Sequence, residues 1–329
     1  MMQPALKLLI AAGLATLFGC GGGGTTSSIN TGDTGSTGSD GRATITNENA
    51  KAVAGVAAET ALDNDFFVDV VTQSLPVISS GTKLTVVTVA KIANPSNLLA
   101  VQSGIVDCAV FGTVDIDVSV ANPLTLSAGD EFGFTFTSCD QGTGAVASGG
   151  VTLTITSLGG DFSTGEFVLG MSLEVTALSI TANGETTTAS GTIGVEIDST
   201  MPPLRTTTVS IGALATTSSG LTDVITNMTV VIVEDDSMFP TGVSVQTSFT
   251  VSSPRIGGDI VVSTSLALQS SGSEYPFVGE LRMMGAGNSL IVLIAVSASD
   301  VRLEIDIDGD GAMDSSVDTT WDEIIAAAG

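Results

Sequence analysis

Four aspartates near the end of the sequence have the spacing of a calcium-binding loop. If Asp306 is position 1, then Asp308, Asp310 and Asp314 are positions 3, 5 and 9, and Gly311 is position 6. Calcium takes about six to eight oxygen ligands, alternate aspartates in a tight turn converge on one point, and a glycine lets the backbone bend sharply. The spacing therefore predicts a calcium site formed by these four aspartates.

The flanks of this loop differ from those of an EF-hand. Position 12 is Val317 instead of a bidentate glutamate. Before the loop, apolar and polar residues alternate, which is typical of a strand and not of a helix. We therefore expect a β-hairpin with an acidic tip over about residues 300–323. The alternative is a solvated Asp-Gly turn that needs no metal.

Other acidic residues are weaker candidates for chemistry. Paired carboxylates of a glycoside hydrolase could come from Glu234, Asp235, Asp236, Asp63, Asp65 and Asp69. Charged runs between strands are usually solvated loops, and Asp115 and Asp117 share a polar strand face, where a structural sheet places acids. We therefore predict no catalytic residue.

The charge balance excludes several classes of function. Lysine and arginine total 9 against 35 acids, with no histidine, for a net charge of −26. The lack of histidine excludes Ser-His-Asp and Cys-His catalysis and removes the commonest zinc and iron ligand. Nucleic acid and anionic lipid headgroups are not expected as partners, because both are polyanions. The charge does not exclude calcium or basic proteins as partners.

The N-terminus has the layout of a bacterial secretion signal. Lys7 precedes an apolar run over residues 8–18, which ends before Gly19 and Cys20. The run is too short to span a bilayer, which takes about 20 apolar residues. A cysteine after a small residue at this point resembles the lipobox of bacterial lipoproteins, which implies a signal peptide over residues 1–19 and lipidation of Cys20.

This resemblance also implies a location. Gly21, and not aspartate, follows the cysteine, which in lipoproteins of Gram-negative bacteria implies the outer membrane. The chain would contact that membrane through lipid only, on the periplasmic face or the cell surface. Residues 20–44 are mostly Gly, Ser, Thr and Asp, so they are predicted to form a flexible linker with a reach of roughly 25 Å.

Two further cysteines predict a disulfide. If Cys20 is lipidated, Cys108 and Cys139 are left, and an exported protein meets an oxidising compartment. A bond between them would stabilise the fold by roughly 3.5–4 kcal/mol in the loop-entropy model. The alternative is a pair of reduced, buried thiols.

The rest of the chain predicts a mostly β fold. Residues 46–63 carry an apolar stripe of good helix formers, with Thr46 or Asn47 as the cap. From about residue 83 the chain alternates apolar and polar residues between turn signals. We expect one β-rich domain over residues 45–329, an antiparallel meander curled into a sandwich or partly closed barrel, with one N-terminal helix.

The C-terminal stretch from Leu303 to Ile324 resembles the ending of many uncharacterised lipoproteins of gammaproteobacteria. Those often show a strand, an Asp-Gly-Asp-Gly turn, a second strand and a Thr-Trp pair, which here is Thr320 and Trp321. The resemblance brings no known activity with it. We expect Trp321 to anchor the last hairpin on the sheet.

We therefore predict a non-enzymatic, outer-membrane-anchored lipoprotein, a structural or binding module whose acidic hairpin takes calcium. One alternative is a carrier that holds an apolar or lipid ligand in a barrel-like cavity. A less favoured one is a carboxylate-based hydrolase of envelope polysaccharide.

Overall fold

The computed structural model describes most of the chain after residue 40, in the ranges 41–62, 75–79, 83–87, 103–122, 125–140, 142, 144–161, 164–182, 184–238, 240–271 and 275–328. The predicted signal peptide, Cys20 and the linker up to residue 40 lie outside these ranges, as do Asp63, Asp65 and Asp69. The described residues divide into two compact units, 75–220 and 41–62 with 221–328. A single domain over 45–329 stays a prediction.

The first unit is made of strands that follow one another in sequence order. They are β1 (Leu75–Ser79), β2 (Lys83–Val87), β3 (Gly104–Asp107), β4 (Phe111–Ser119), β5 (Glu131–Asp140), β6 (Ala145–Asp161), β7 (Glu166–Ala182), β8 (Glu185–Met201) and β9 (Leu204–Ser218). The first two form a hairpin of their own, and from β3 to β9 each strand pairs antiparallel with the next.

Alternation explains the core of the first unit. Leu153 lies opposite Leu173, and Ile155 lies opposite Met171, across β6 and β7, and all four side chains are buried. Thr154 and Ser172, which lie between them, point to the other face, because successive side chains of a strand alternate. A shift of one residue in register would expose this apolar set, so the pattern specifies the pairing.

The second unit combines a meander with two helices. Its elements are α1 (Ala50–Leu62), β10 (Leu221–Asp235), β11 (Gly242–Ser253), β12 (Gly258–Ser271), β13 (Val278–Met284), β14 (Leu290–Ala295), β15 (Asp300–Asp306), β16 (Ser315–Thr320) and α2 (Trp321–Ala327). Each of its strands pairs antiparallel with the next. The predicted class, a mostly β antiparallel meander with an N-terminal helix, is confirmed.

Helix α1 begins at a reciprocal cap. The Thr46 hydroxyl accepts a hydrogen bond from the Asn49 N–H at 3.3 Å, and the Asn49 side chain accepts one from the Thr46 N–H at 2.8 Å. This arrangement satisfies backbone donors that a helix start leaves unpaired. The helix contacts α2, β13 and β14. At Gly55 a methyl group would lie against the Ile324 carbonyl and 2.8 Å from the Ala328 nitrogen, so a glycine permits this close helix contact.

Helix α2 was not expected from the sequence. The second strand of the C-terminal hairpin ends at Thr320, whose hydroxyl accepts a hydrogen bond from the Glu323 N–H at 3.2 Å. Thr320 thus caps a helix that starts at Trp321. The buried Trp321 packs at the start of this helix instead of in the hairpin. Within the described ranges, no helix is long and apolar enough to cross a membrane.

Candidate functional site

The acidic loop joins the last two strands of the second unit. β15 and β16 pair in register as far as Ile305 opposite Ser315. The Asp314 N–H donates to the Ile305 carbonyl at 2.8 Å, which closes the hairpin beyond that pair. The predicted strand–loop–strand arrangement is therefore present, and the loop of residues 307–313 projects from the end of a rigid ladder.

Asp306 is the centre of this loop. It is only 2 % exposed. One of its carboxylate oxygens accepts from the Gly309 N–H at 2.8 Å, and the other accepts from the Gly311 N–H at 2.9 Å. A buried carboxylate needs such partners. The loop backbone is thus wrapped around the Asp306 side chain.

Two more aspartates converge on Asp306. One carboxylate oxygen from each of Asp306, Asp308 and Asp314 lies within 4.8 Å of the other two. Calcium–oxygen distances are about 2.3–2.6 Å, so two ligands on opposite sides of one ion lie roughly 5 Å apart. The three oxygens are therefore close enough to share one cation. Asp308 and Asp314 are exposed, so the site opens to solvent.

Asp310, the fourth predicted ligand, does not belong to this group of three. Its carboxylate accepts from the Ala312 N–H at 2.8 Å, two residues further along the loop. Aspartates often hold turns in this way. The structure thus brings together three of the four predicted ligands.

Neighbouring parts of the second unit support the loop. Gly309 has a φ of +73° and lies against the turn between β13 and β14, where an added methyl group would contact the Gly287 carbonyl and lie 3.0 Å from the Asn288 carbonyl carbon. The Ser315 hydroxyl donates to the Asn47 side-chain oxygen at 2.6 Å. The loop is therefore supported by one neighbouring turn and by the segment that precedes α1.

The other described acidic candidates lie at the end of β10 and on one face of β4. Asp235 ends β10 and accepts from both the N–H and the hydroxyl of Ser237 at 2.9 and 2.6 Å, and these hydrogen bonds lower the pKa of Asp235. Asp236 follows it in an exposed turn. Asp115 and Asp117 are exposed on one face of β4, as predicted.

An arginine cluster in the same unit was missed by sequence reasoning. Arg255 donates to the Ala328 carbonyl at 2.7 Å and to Asp223 at 2.7 Å, and it lies 3.6 Å from Glu59. Burial raises the pKa of Glu59, and Arg255 opposes that shift. The cluster ties both helices to the sheet. Its members are far apart in sequence, so no local signal pointed to it.

The predicted disulfide is present in the first unit. Cys108 is joined to Cys139, with their Cα atoms 5.5 Å apart. The Val110 N–H also donates to the Asp140 carbonyl at 3.0 Å. The disulfide and this hydrogen bond hold the end of β5 against the start of β4.

Comparisons with protein-family models, with curated proteins and with solved structures find no match for this chain.

Proposed function

We propose that this chain is a non-enzymatic lipoprotein of the outer membrane, a structural or binding module whose acidic hairpin binds one calcium ion. The observation that carries the metal site is the convergence of Asp306, Asp308 and Asp314 within 4.8 Å in a closed loop. The lipobox-like sequence at Cys20 supports the anchor and the location.

The donor set favours calcium over other ions. All three side chains offer carboxylate oxygens, which suit hard cations, and no thiol or imidazole belongs to the group. Magnesium demands a near-ideal octahedron and keeps several waters, whereas calcium accepts irregular carboxylate sets completed by water and backbone carbonyls. The exposed Asp308 and Asp314 leave room for such waters.

In this proposal calcium acts as a structural staple. It would offset the repulsion of three neighbouring carboxylates and fix the loop against the turn at Gly287 and Asn288. Binding to the folded state alone stabilises it by about 2.7 kcal/mol when free calcium is 100 times its dissociation constant. For a protein of this size that is a rise of a few degrees in melting temperature.

The melting temperature tests this role. The full chain carrying Cys20→Ser, which removes the lipid, is melted in EDTA and then in calcium. We expect calcium to raise the melting temperature by a few degrees in this protein and to have no effect in Asp308→Asn or Asp314→Asn. Asp310→Asn is the matched control, since it removes the same charge outside the group of three and should keep the rise. A melt that calcium does not move contradicts the site.

The anchor is tested separately. Cells that express the full chain are grown with radiolabelled palmitate, and their membranes are fractionated. We expect label on the wild type in the outer-membrane fraction and none on Cys20→Ser. Unlabelled wild-type protein would contradict the lipoprotein assignment and leave the metal test unaffected.

A further inference from the structure

Three turns lie at the end of the second unit opposite the acidic loop. They join β10 to β11, β12 to β13 and β14 to β15, and a meander places alternate turns at the same end. The Ser271 hydroxyl donates to the Pro240 carbonyl at 3.1 Å, which links the first two turns. β15 runs from this end at Asp300 to the acidic loop at Asp306. At about 3.3 Å per residue, the two ends are roughly 20 Å apart.

The chain's single tryptophan connects the second and third of these turns. The Trp321 indole N–H donates to the Pro276 carbonyl at 3.1 Å and to the Ser297 carbonyl at 3.3 Å. The chain's single tyrosine, Tyr275, stacks on Trp321 with ring centroids 5.6 Å apart and an interplanar angle of 14°. Trp321 itself is buried. These contacts hold the two turns in a fixed relation.

Large apolar side chains are exposed on this fixed base. Phe277 is 37 % exposed, Val278 37 % and Val296 55 %. Gly279 lies opposite Ala295 in the β13–β14 ladder, so Val278 and Val296 lie next to each other just beyond that pair. We call Tyr275, Phe277, Val278, Val296 and Trp321 the aromatic platform.

The platform has the composition of a protein interface. Aromatic residues are enriched at interface cores, and a few of them supply most of the binding energy. A surface already held rigid also pays less ordering entropy on binding. Of the three aromatic rings of the platform, Phe277 is exposed, Tyr275 is half-buried, and the buried Trp321 stacks on Tyr275.

The three turns at this end of the unit carry negative charge. The sequence of the three turns, over 235–242, 271–278 and 295–300, contains no lysine or arginine. Asp300 accepts from the hydroxyls of Ser297 and Ser299 at 2.7 and 2.8 Å, and these bonds lower the pKa of Asp300. Asp235, whose pKa is also lowered, ends β10 at the first turn. Both carboxylates therefore stay ionised in mildly acidic surroundings.

We infer that the aromatic platform docks a segment of another protein that carries lysine or arginine beside large apolar side chains. The apolar side chains of that segment cover Phe277, Val278 and Val296, and its positive charges face Asp235 and Asp300. This inference goes beyond the proposed function, because none of its residues belongs to the calcium loop.

Charge complementarity selects this partner. An acidic rim around an apolar patch repels acidic proteins and anionic surfaces and attracts basic segments, chiefly by raising the association rate. The attraction must weaken with salt, because the charges are exposed. The apolar contact must not weaken with salt. The salt dependence of binding therefore distinguishes a segment with both positive charge and apolar side chains from a segment with positive charge alone.

Two sets of peptides test the inference. The full chain carrying Cys20→Ser is titrated with a synthetic peptide of about ten residues in which lysine alternates with leucine, a common form for an extended ligand. One control peptide replaces each lysine by glutamate, and another replaces each leucine by serine. Peptide anisotropy gives the dissociation constant, and the emission of the single Trp321 reports binding at the platform. We expect the lysine–leucine peptide to bind at least tenfold more tightly than either control.

Matched variants locate the binding. Phe277→Ser combined with Val296→Ser should raise the dissociation constant at least tenfold, whereas Leu266→Ser should not change it, since Leu266 is as exposed (47 %) but lies within β12. Asp235→Asn combined with Asp300→Asn should weaken binding at low salt only. Equal affinities for the three peptides, or equal losses in Leu266→Ser and the double serine variant, overturn the inference.

Two other occupants are also distinguished. If the platform bound a second copy of this chain, light scattering would show a dimer. The double serine variant would then be a monomer, whereas Leu266→Ser would stay a dimer. Co-sedimentation with phosphatidylcholine vesicles that the double serine variant abolishes would indicate a lipid surface. Either result overturns the assignment to a basic partner segment.

Discussion

The two ends of the second unit are built by different interactions. At one end a loop is wrapped around a buried carboxylate, and almost every contact is a hydrogen bond between an aspartate and the backbone. At the other end an indole and a phenol ring stack, and one N–H joins two turns. In our proposals the polar end binds a small cation and the aromatic end binds a protein segment, and the two sites share no residue.

Removing the indole of Trp321 at the aromatic end should cause the largest loss of stability. Trp321→Ala removes a fully buried ring and the hydrogen bonds to Pro276 and Ser297, so we expect a loss of about 3–5 kcal/mol in the free energy of unfolding. Urea unfolding measures it. Peptide binding at the platform should be lost as well, while calcium binding by the native fraction persists. A loss below about 1 kcal/mol would contradict the role of Trp321 as the base of the platform.

Removing the central carboxylate should have the next largest effect. Asp306→Ala leaves the Gly309 and Gly311 N–H groups without their acceptor, which costs about 1–3 kcal/mol for each group that water does not reach. We expect a total loss of about 2–3 kcal/mol in EDTA, measured by urea unfolding. Asp306→Asn keeps one oxygen acceptor and should lose less. Equal losses in the two variants would show that the side chain does not organise the loop.

A backbone change in the acidic loop should have a smaller effect on stability. Gly309→Ala places a methyl group against the Gly287 carbonyl at a φ of +73°, so we expect a loss of about 1–2 kcal/mol. Gly311→Ala is the control, since that position also has a positive φ but open space around it, and it should cost less. Thermal melts in EDTA compare the two. A larger loss at Gly311 would contradict the contact with the neighbouring turn.

The ionisation of Glu59 should have the smallest effect on stability. Burial raises the pKa of Glu59 above its ordinary 4.5, and Asp223 adds to that shift. The folded state then holds the Glu59 proton more tightly than the unfolded chain, so this contribution to stability is present below pH 4.5 and is lost as the pH rises through the folded pKa. We expect Glu59→Gln to be more stable than the wild type at pH 7 and to lose that advantage by about pH 4.5. Melts at both pH values measure it, and a constant difference would contradict the shift.

Periodicity carried most of the fold prediction. The alternation that places Leu153 and Ile155 on one face is a local pattern, so the strands and their antiparallel order could be predicted from sequence. The acidic hairpin was predictable for the same reason, since its aspartates are neighbours along the chain. Helix α2 was missed because it is only seven residues long, and its main signal is Thr320 three residues before Glu323.

Features that depend on distant residues could not be predicted. Tyr275 and Trp321 meet because the β12–β13 turn and the end of β16 reach the same end of the sheet, and Arg255 meets Glu59 through the packing of α1. Nor does spacing alone separate Asp310 from the other three aspartates. That separation depends on where the folded loop places each carboxylate, because Asp308 and Asp310 both accept from the N–H two residues further on.

Calorimetric titration with calcium shows directly whether the acidic hairpin is a metal site. The full chain carrying Cys20→Ser, freed of metal, is titrated with calcium alongside the same chain with Asp314→Asn or Asp310→Asn. We expect one calcium ion per chain, with binding lost in Asp314→Asn and kept in Asp310→Asn. No saturable calcium binding in any chain, or identical binding in Asp314→Asn and its parent, would contradict the acidic hairpin as a metal centre.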